Sequence, residues 1–226
     1  MKTVFISAKV DLDVEKAVKA AMPLLPNKVG LAMTIQLTGQ MQKAKAILEQ
    51  AGKEVIVTGQ VLGCNPSAVM KDDVDAYLYV GSGRFHPMGI AVKTQKPVII
   101  ADPADNSAIE LPKEDVEKII KKNKGALLKF YAAKDVGVIV TIKPGQENMI
   151  RALRMKDLFP DKKIHIFICD DIPFYQLENF PFVEVWVNTA CPRIGTDDYE
   201  KSIKPMLNFE DVIPTNFKIE PNFVPL

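Results

Sequence analysis

Short apolar runs alternate along the chain with stretches whose apolar residues recur at helical spacing. Residues 3–10 predict a strand, and residues 14–22, opened by the N-cap candidate Asp13, predict the helix that follows it. A second strand over 29–35 leads through Thr38-Gly39-Gln40 into a helix that runs to Ala51 and stops at Gly52. Strands at 55–58, 76–80 and 97–101 come next, with a glycine- and proline-bearing loop at 59–66 and a short helix from Met88. Residues 102–112 are polar and turn-rich, which predicts a linker. Beyond it the pattern gives a long helix over 113–133, strands at 136–142, 163–168 and 182–187, a helix ending at Leu158 and a short one near Phe174. Strands separated by helices of this length imply parallel βαβ units with right-handed crossovers.

The two halves repeat one another. Gly30-Leu31-Ala32-Met33-Thr34-Ile35 leads to Thr38-Gly39-Gln40, as Gly137-Val138-Ile139-Val140-Thr141-Ile142 leads to Pro144-Gly145-Gln146. Gly39 to Gly81 spans 42 positions and Gly145 to Asn188 spans 43, so both the turn residues and their spacing are kept. The expected fold class is α/β with two similar domains, residues 1–105 and 106–226, related by internal duplication. Each would be a parallel sheet of about four strands flanked by helices. On that alignment the 81–87 and 188–195 loops are counterparts at strand ends, where α/β folds carry their chemistry. A pseudo-twofold axis between the domains would let these loops and the 59–66 loop line one cleft.

Composition narrows the function classes. A chain of 226 residues, or either half of it, can bury a core of its own. Lys+Arg total 29 against 28 Asp+Glu, which excludes recruitment of a nucleic acid or a membrane by bulk charge. No apolar run approaches the roughly 18 residues of a membrane span, and the opening run is too short for a secretory signal. The protein is therefore expected in the cytoplasm. Its cysteines, Cys64, Cys169 and Cys191, have no C-x-x-C spacing and make no disulfide framework. In a reducing compartment they are core thiols, a nucleophile, or ligands gathered from distant segments.

Cys64 lies in the loop Gly63-Cys64-Asn65-Pro66, and Cys191 in Asn188-Thr189-Ala190-Cys191-Pro192-Arg193-Ile194-Gly195, with a cation two residues on. A free cysteine is most often a small buried hydrophobe, and that reading stands beside ligation of a metal or cluster by the two loop thiols. Cys169 closes an apolar run and reads as a core thiol. Gly81-Ser82-Gly83 can bring backbone N–H groups to an anionic or carboxylate-bearing ligand, with Arg84 as a fork and His86 as a polar tip; a plain β-to-α turn is the alternative. Neither G-x-G-x-x-G nor a P-loop is present. His165 reads as an edge or surface residue, and the pairs Asp170/Asp171 and Asp197/Asp198 as solvated caps. With only 2 histidines, no H-E-x-x-H motif or Ser/His/Asp order can be assembled, which argues against zincins and triad hydrolases.

Four segments in order resemble one family: Gly59-Gln60-Val61-Leu62-Gly63-Cys64, Tyr79-Val80-Gly81-Ser82-Gly83-Arg84-Phe85-His86-Pro87, Lys143-Pro144-Gly145-Gln146 and Asn188-Thr189-Ala190-Cys191-Pro192-Arg193-Ile194. They are similar to the diphthamide-synthesis family, the 2-(3-amino-3-carboxypropyl)histidine synthases, over nearly the whole chain, as the second and third of that family's three α/β domains. The resemblance implies an atypical radical enzyme. In it a 4Fe-4S cluster, held by one cysteine from each domain, binds S-adenosylmethionine and cleaves it to a 3-amino-3-carboxypropyl radical that adds to a histidine of translation elongation factor 2. It implies Cys64 and Cys191 as cluster ligands and places Gln60, Ser82, Gly83, Arg84, His86 and Arg193 in motifs that face the cofactor. The family's first domain, with its own cluster cysteine, is expected to have no counterpart here, and Cys169 matches no family ligand. The ligand set is then incomplete unless a second copy or a separate chain completes it. The functions to weigh are a short family member working with such a partner, a non-catalytic subunit of the same fold, and an unrelated ligand-binding α/β protein.

Overall fold

The computed structural model describes residues 9–61, 73–196, 198 and 201–213, which form two compact units, Met1–Ile120 and Lys121–Leu226. In the first unit, β1 (Lys28–Met33), β2 (Glu54–Gln60), β3 (Ala76–Val80) and β4 (Val98–Asp102) make a parallel sheet in the order β2-β1-β3-β4. β5 (Ser107–Glu110) adds to it antiparallel, beside β4. In the second unit, β6 (Asp135–Thr141), β7 (Lys163–Cys169), β8 (Val185–Asn188) and β9 (Met206–Asn208) are all parallel, in the order β7-β6-β8-β9. The four parallel strands of the first sheet and the four of the second thus follow one order.

Each sheet is covered on both faces, so its central strands are apolar at every position. All of β3 is buried, as is β6 from Val136 onward. In the first unit, alternate residues Leu31, Leu78 and Val80 pack on α1 (Glu15–Ala21) and α2 (Met41–Gln50); Tyr77, Tyr79 and Ile100 pack on the other face with α3 (Phe85–Thr94). In the second, Val138, Val140 and Val187 pack on Phe130 of α4 (Lys113–Ala132), on α5 (Met149–Leu158) and on α7 (Phe209–Val212), which follows the short α6 (Arg193–Thr196). Ile139, Trp186 and Met206 fill the opposite face.

The sheets also share a packing device. Gly30 is paired in register with Tyr77, and Gly137 with Trp186. A Cβ on Gly30 would lie 2.8 Å from the Tyr77 ring, and one on Gly137 only 2.3 Å from the Trp186 ring. In both sheets the absence of a side chain makes room for an aromatic ring one strand away.

Several elements differ from the sequence reading. Residues 102–112 form a hairpin instead of a linker: Asp102 Oδ1 accepts the Ala104 N–H, Asp105 Oδ1 accepts the Ser107 N–H, and Asn106 is left-handed. Polar turn residues signal a reversal of the chain as readily as a connection. β8 starts at Val185; just ahead of it Glu184 turns its carboxylate onto the N–H groups of Lys134 and Asp135 (2.7 and 3.1 Å). α3 starts three residues before Met88. Residues 3–8 of the expected first strand lie outside the described residues, and Lys9 and Val10 belong to no strand. The N-cap position of the first helix is Val14, one residue beyond Asp13, whose Oδ1 accepts the Glu15 N–H at 2.9 Å.

Candidate functional site

β8 lies between β6 and β9 and ends on Asn188, from which the chain turns through Thr189-Ala190-Cys191-Pro192 into α6. A turn leaving a buried strand must find partners for its backbone polar groups. Here side chains supply them. Asn188 Oδ1 accepts the Ala190 N–H (3.0 Å) while its Nδ2 donates to Cys191 O (2.9 Å) and to Asn208 Oδ1 (2.8 Å). Asn208 Nδ2 donates to Pro192 O at 3.0 Å. Thr189 Oγ1 donates to Ile139 O, Asn148 Nδ2 to Thr189 O, and Lys122 Nζ to Gly195 O. Cys191 sits in this fastened turn as a half-buried thiol outside any disulfide, and Arg193 is exposed at the start of α6.

Beside the turn a hollow of about 220 Å³ opens, lined by Thr141, Lys143, Gln146, Asp171 and Ala190 among others. The glutamine of the repeated Gly-Gln turn therefore reaches the same region as the thiol's loop. Lys143 and Asp171 form an ion pair there, and the hydrogen bond to Asp171 raises the lysine's pKa. Cys169 is committed elsewhere: its Sγ lies 3.7 Å from Val140 O and it packs with the Trp186 cluster. Burial pushes its thiol pKa up, and the charges of Asp171 and Asp170 add to the shift. His165 is held at the sheet edge by Asp135 (2.8 Å) and by the edge of the Phe182 ring.

The counterpart loop leaves β3, the strand between β1 and β4. Gly81 has φ +152°, and a Cβ there would lie 2.8 Å from Tyr79 Oη and 3.0 Å from Thr34 Cγ2, so only glycine fits. Tyr79 Oη donates to Ser82 O at 3.3 Å and lies 3.4 Å from His86 Nδ1, with the two rings stacked. Burial and the charge of Asp102 push the Tyr79 phenol up to about 12. Ser82 Oγ donates to Asp102 Oδ1 at 2.7 Å, and Arg84, half exposed, pairs with Asp115 at 2.7 Å. Gly83 is exposed between them, with left-handed φ. Gln60 ends β2, half-buried and in register with Met33.

Each unit thus gathers its own site residues: Gln60 at the end of β2 and the Ser82–His86 segment after β3 in one, Cys191 and Arg193 after β8 in the other. Cys64 lies outside the described residues, as does Asp197. Among the described residues no group of three or more His, Cys, Asp or Glu is gathered as a metal ion would require. What is present, a thiol on a turn whose Ala190 N–H and whose Thr189, Cys191 and Pro192 carbonyls are already engaged, fits a single corner of an iron–sulfur cluster, for which cysteine sulfur is the usual donor. Sequence reasoning missed Asn208, Asn148, Tyr79 and Asp102. One signal was available for the first: Asn208 followed by Asp211 is a helix-start pattern, and both halves of the capping box are formed.

Comparison with known proteins places these loops in context. The family of diphthamide synthesis proteins matches residues 1–213. The chain is 36% identical over 224 residues to the 2-(3-amino-3-carboxypropyl)histidine synthase of Pyrococcus horikoshii, covering 93% of this chain and 64% of that one. It is 33% identical over 192 residues to the synthase of Methanocaldococcus jannaschii, covering 81% of this chain and 50% of that protein. A crystal structure of Dph2 from Pyrococcus horikoshii with a 4Fe-4S cluster matches with a TM-score of 0.76 at 35% identity, over 91% of this chain and 63% of that one. The chain therefore spans less than two thirds of the length of these relatives. From the fold, the four motifs and these likenesses together, the chain belongs to the diphthamide synthesis protein family.

Proposed function

We propose that this chain serves diphthamide formation in the cytoplasm, in the transfer of the 3-amino-3-carboxypropyl group from S-adenosylmethionine to a histidine of translation elongation factor 2. In this reading Cys191 and Cys64 are thiolate ligands of a 4Fe-4S cluster, which supplies the electron that breaks a sulfur–carbon bond of S-adenosylmethionine. Cys169 being committed to the core, a third thiolate would come from outside the sequence described. Gln60, Ser82, Gly83, Arg84, His86 and Arg193 bind and orient S-adenosylmethionine. Backbone N–H groups near Ser82 and Gly83 suit its carboxylate, as does the Arg84 guanidinium on release from Asp115.

The observation that carries the reading is the half-buried Cys191 thiol on a turn fastened by Asn188 and Asn208 at the end of an interior strand. A packing cysteine needs no such turn, as Cys169 illustrates inside its strand. The second reading is a non-catalytic subunit of the same fold, favoured by Arg84, whose guanidinium is already paired with Asp115. Anaerobic reconstitution followed by iron and sulfide analysis decides between them. The expected result is cluster uptake that Cys191→Ala and Cys64→Ala each abolish and Cys169→Ala leaves intact. A protein that stays free of iron, or whose iron content ignores Cys191→Ala, overturns the cluster reading.

A further inference from the structure

We infer that Asn208, acting with Asn188, is a positioning residue for the Cys191 thiolate; the inference rests on the reading above in taking Cys191 as a cluster ligand. Asn188 and Asn208 are register partners on neighbouring strands, and both are buried, at 1% and 6% exposure. A buried carboxamide has an acceptor oxygen and a two-hydrogen donor nitrogen, and leaving any of them without a partner is costly. Here each amide oxygen and each amide nitrogen has a partner, mostly on the thiol's own loop. The Asn188 amide spans from Ala190 N–H to Cys191 O, and the Asn208 amide takes Pro192 O, while the Asn188–Asn208 bond locks the two together. Three consecutive residues, Ala190, Cys191 and Pro192, are therefore held by a pair of side chains from neighbouring strands.

Asn208 is fixed in turn from its far side. Its backbone N–H donates to Asp211 Oδ2 at 3.1 Å, and its side chain caps α7. The position of the sulfur is thus referred through two amides to β9 and α7, elements with no site residue of their own. Partners that orient a metal ligand from behind in this way govern how tightly the metal is held.

Asn208→Asp is nearly isosteric and removes the donor, adding a charge that Asn208→Ser does not carry: the carboxylate still accepts from Asn188 and from the start of α7 but cannot donate to Pro192 O. The first measurement uses the metal-free full chain and follows iodoacetamide modification of each cysteine by mass spectrometry. Cys191 should react about tenfold faster in Asn208→Asp, the scale of one lost buried hydrogen bond, while Cys169 keeps its rate and so reports an intact core. The second uses reconstituted protein, in which iron should pass to a chelator about 10- to 100-fold more readily, with an altered electron paramagnetic resonance signal of the reduced cluster. Should Asn208→Asp fold poorly, Asn208→Ser keeps a helix-capping oxygen yet is too short to reach Pro192 O, and the same shifts are expected. A lowered unfolding midpoint with wild-type Cys191 reactivity and a wild-type resonance signal makes Asn208 merely structural and overturns the inference. If wild-type protein takes up no iron, the cluster reading falls, and the modification rate alone decides whether the clamp exists: an unchanged Cys191 rate refutes it.

Discussion

Replacing Gly137 by alanine tests the packing of the second sheet at its tightest point. The added Cβ would lie 2.3 and 2.4 Å from Trp186 Cζ3 and Cε3 and 2.9 Å from Val183 Cγ1, so some atom must move by about 1 Å to reach ordinary contact. Trp186 has no room to retreat. It is 1% exposed, with Phe167 against it at a ring separation of 4.9 Å and Phe180 at 6.4 Å. Overpacking of this kind costs about 1–3 kcal/mol, and the backbone gain from replacing a strand glycine returns only about 0.5–1 kcal/mol of it. A net loss near 1–2 kcal/mol, divided by a urea slope of about 1–3 kcal/mol per molar, lowers the midpoint by roughly 1 M. Trp186 is the single tryptophan of the chain, so its fluorescence reports this unit without deconvolution. The assay is equilibrium urea unfolding of wild type and Gly137→Ala, with Gly30→Ala followed by circular dichroism as a milder case, since its Cβ would stand 2.8 Å from Tyr77. A Gly137→Ala midpoint at or above wild type, with an unshifted emission spectrum, would refute the reasoning.

Two predictions concern titration. The Tyr79 phenol is raised to about 12 in the folded chain, against about 10 when unfolded. The fold favours its neutral form, so the associated stability is whole below the unfolded value and is lost as pH rises toward the folded one. Absorbance titration should show a late tyrosinate step that Tyr79→Phe removes, and between those pH values wild type should lose stability relative to that variant; a step count unaffected by the substitution sinks the assignment. Cys169, its thiol pushed up first by burial and then by Asp171 and Asp170, should be alkylated more slowly in the folded chain than in urea at mildly alkaline pH. Equal rates would place it outside the core.

Most of the strands were legible because burial on both faces leaves no polar position to blur them. β3 falls on residues 76–80 as read, and the paired Gly-to-Thr segments that suggested a repeat became β1 and β6, each beside its aromatic partner. The hairpin strand β5 was lost because only one of its four residues is even half-buried, and pairing with β4, not its own pattern, makes it a strand. β9 is three residues long and depends in the same way on β8. With it went Asn208, so the thiol's loop was recognised and its clamp was not. The motif residues Ser82, Arg84 and His86 were named from sequence, but their partners Asp102, Asp115 and Tyr79 come from other elements or from inside a strand, where no spacing rule reaches them.

Both chemical loops hang from inner rungs of their sheets, β3 between β1 and β4 and β8 between β6 and β9. Amides on such rungs exchange with solvent only when a whole cooperative segment opens, whereas edges and termini fray freely. Gradual softening at the margins of either ladder would therefore leave the loops seated, and their collapse would arrive together with the melting of the layer that carries them.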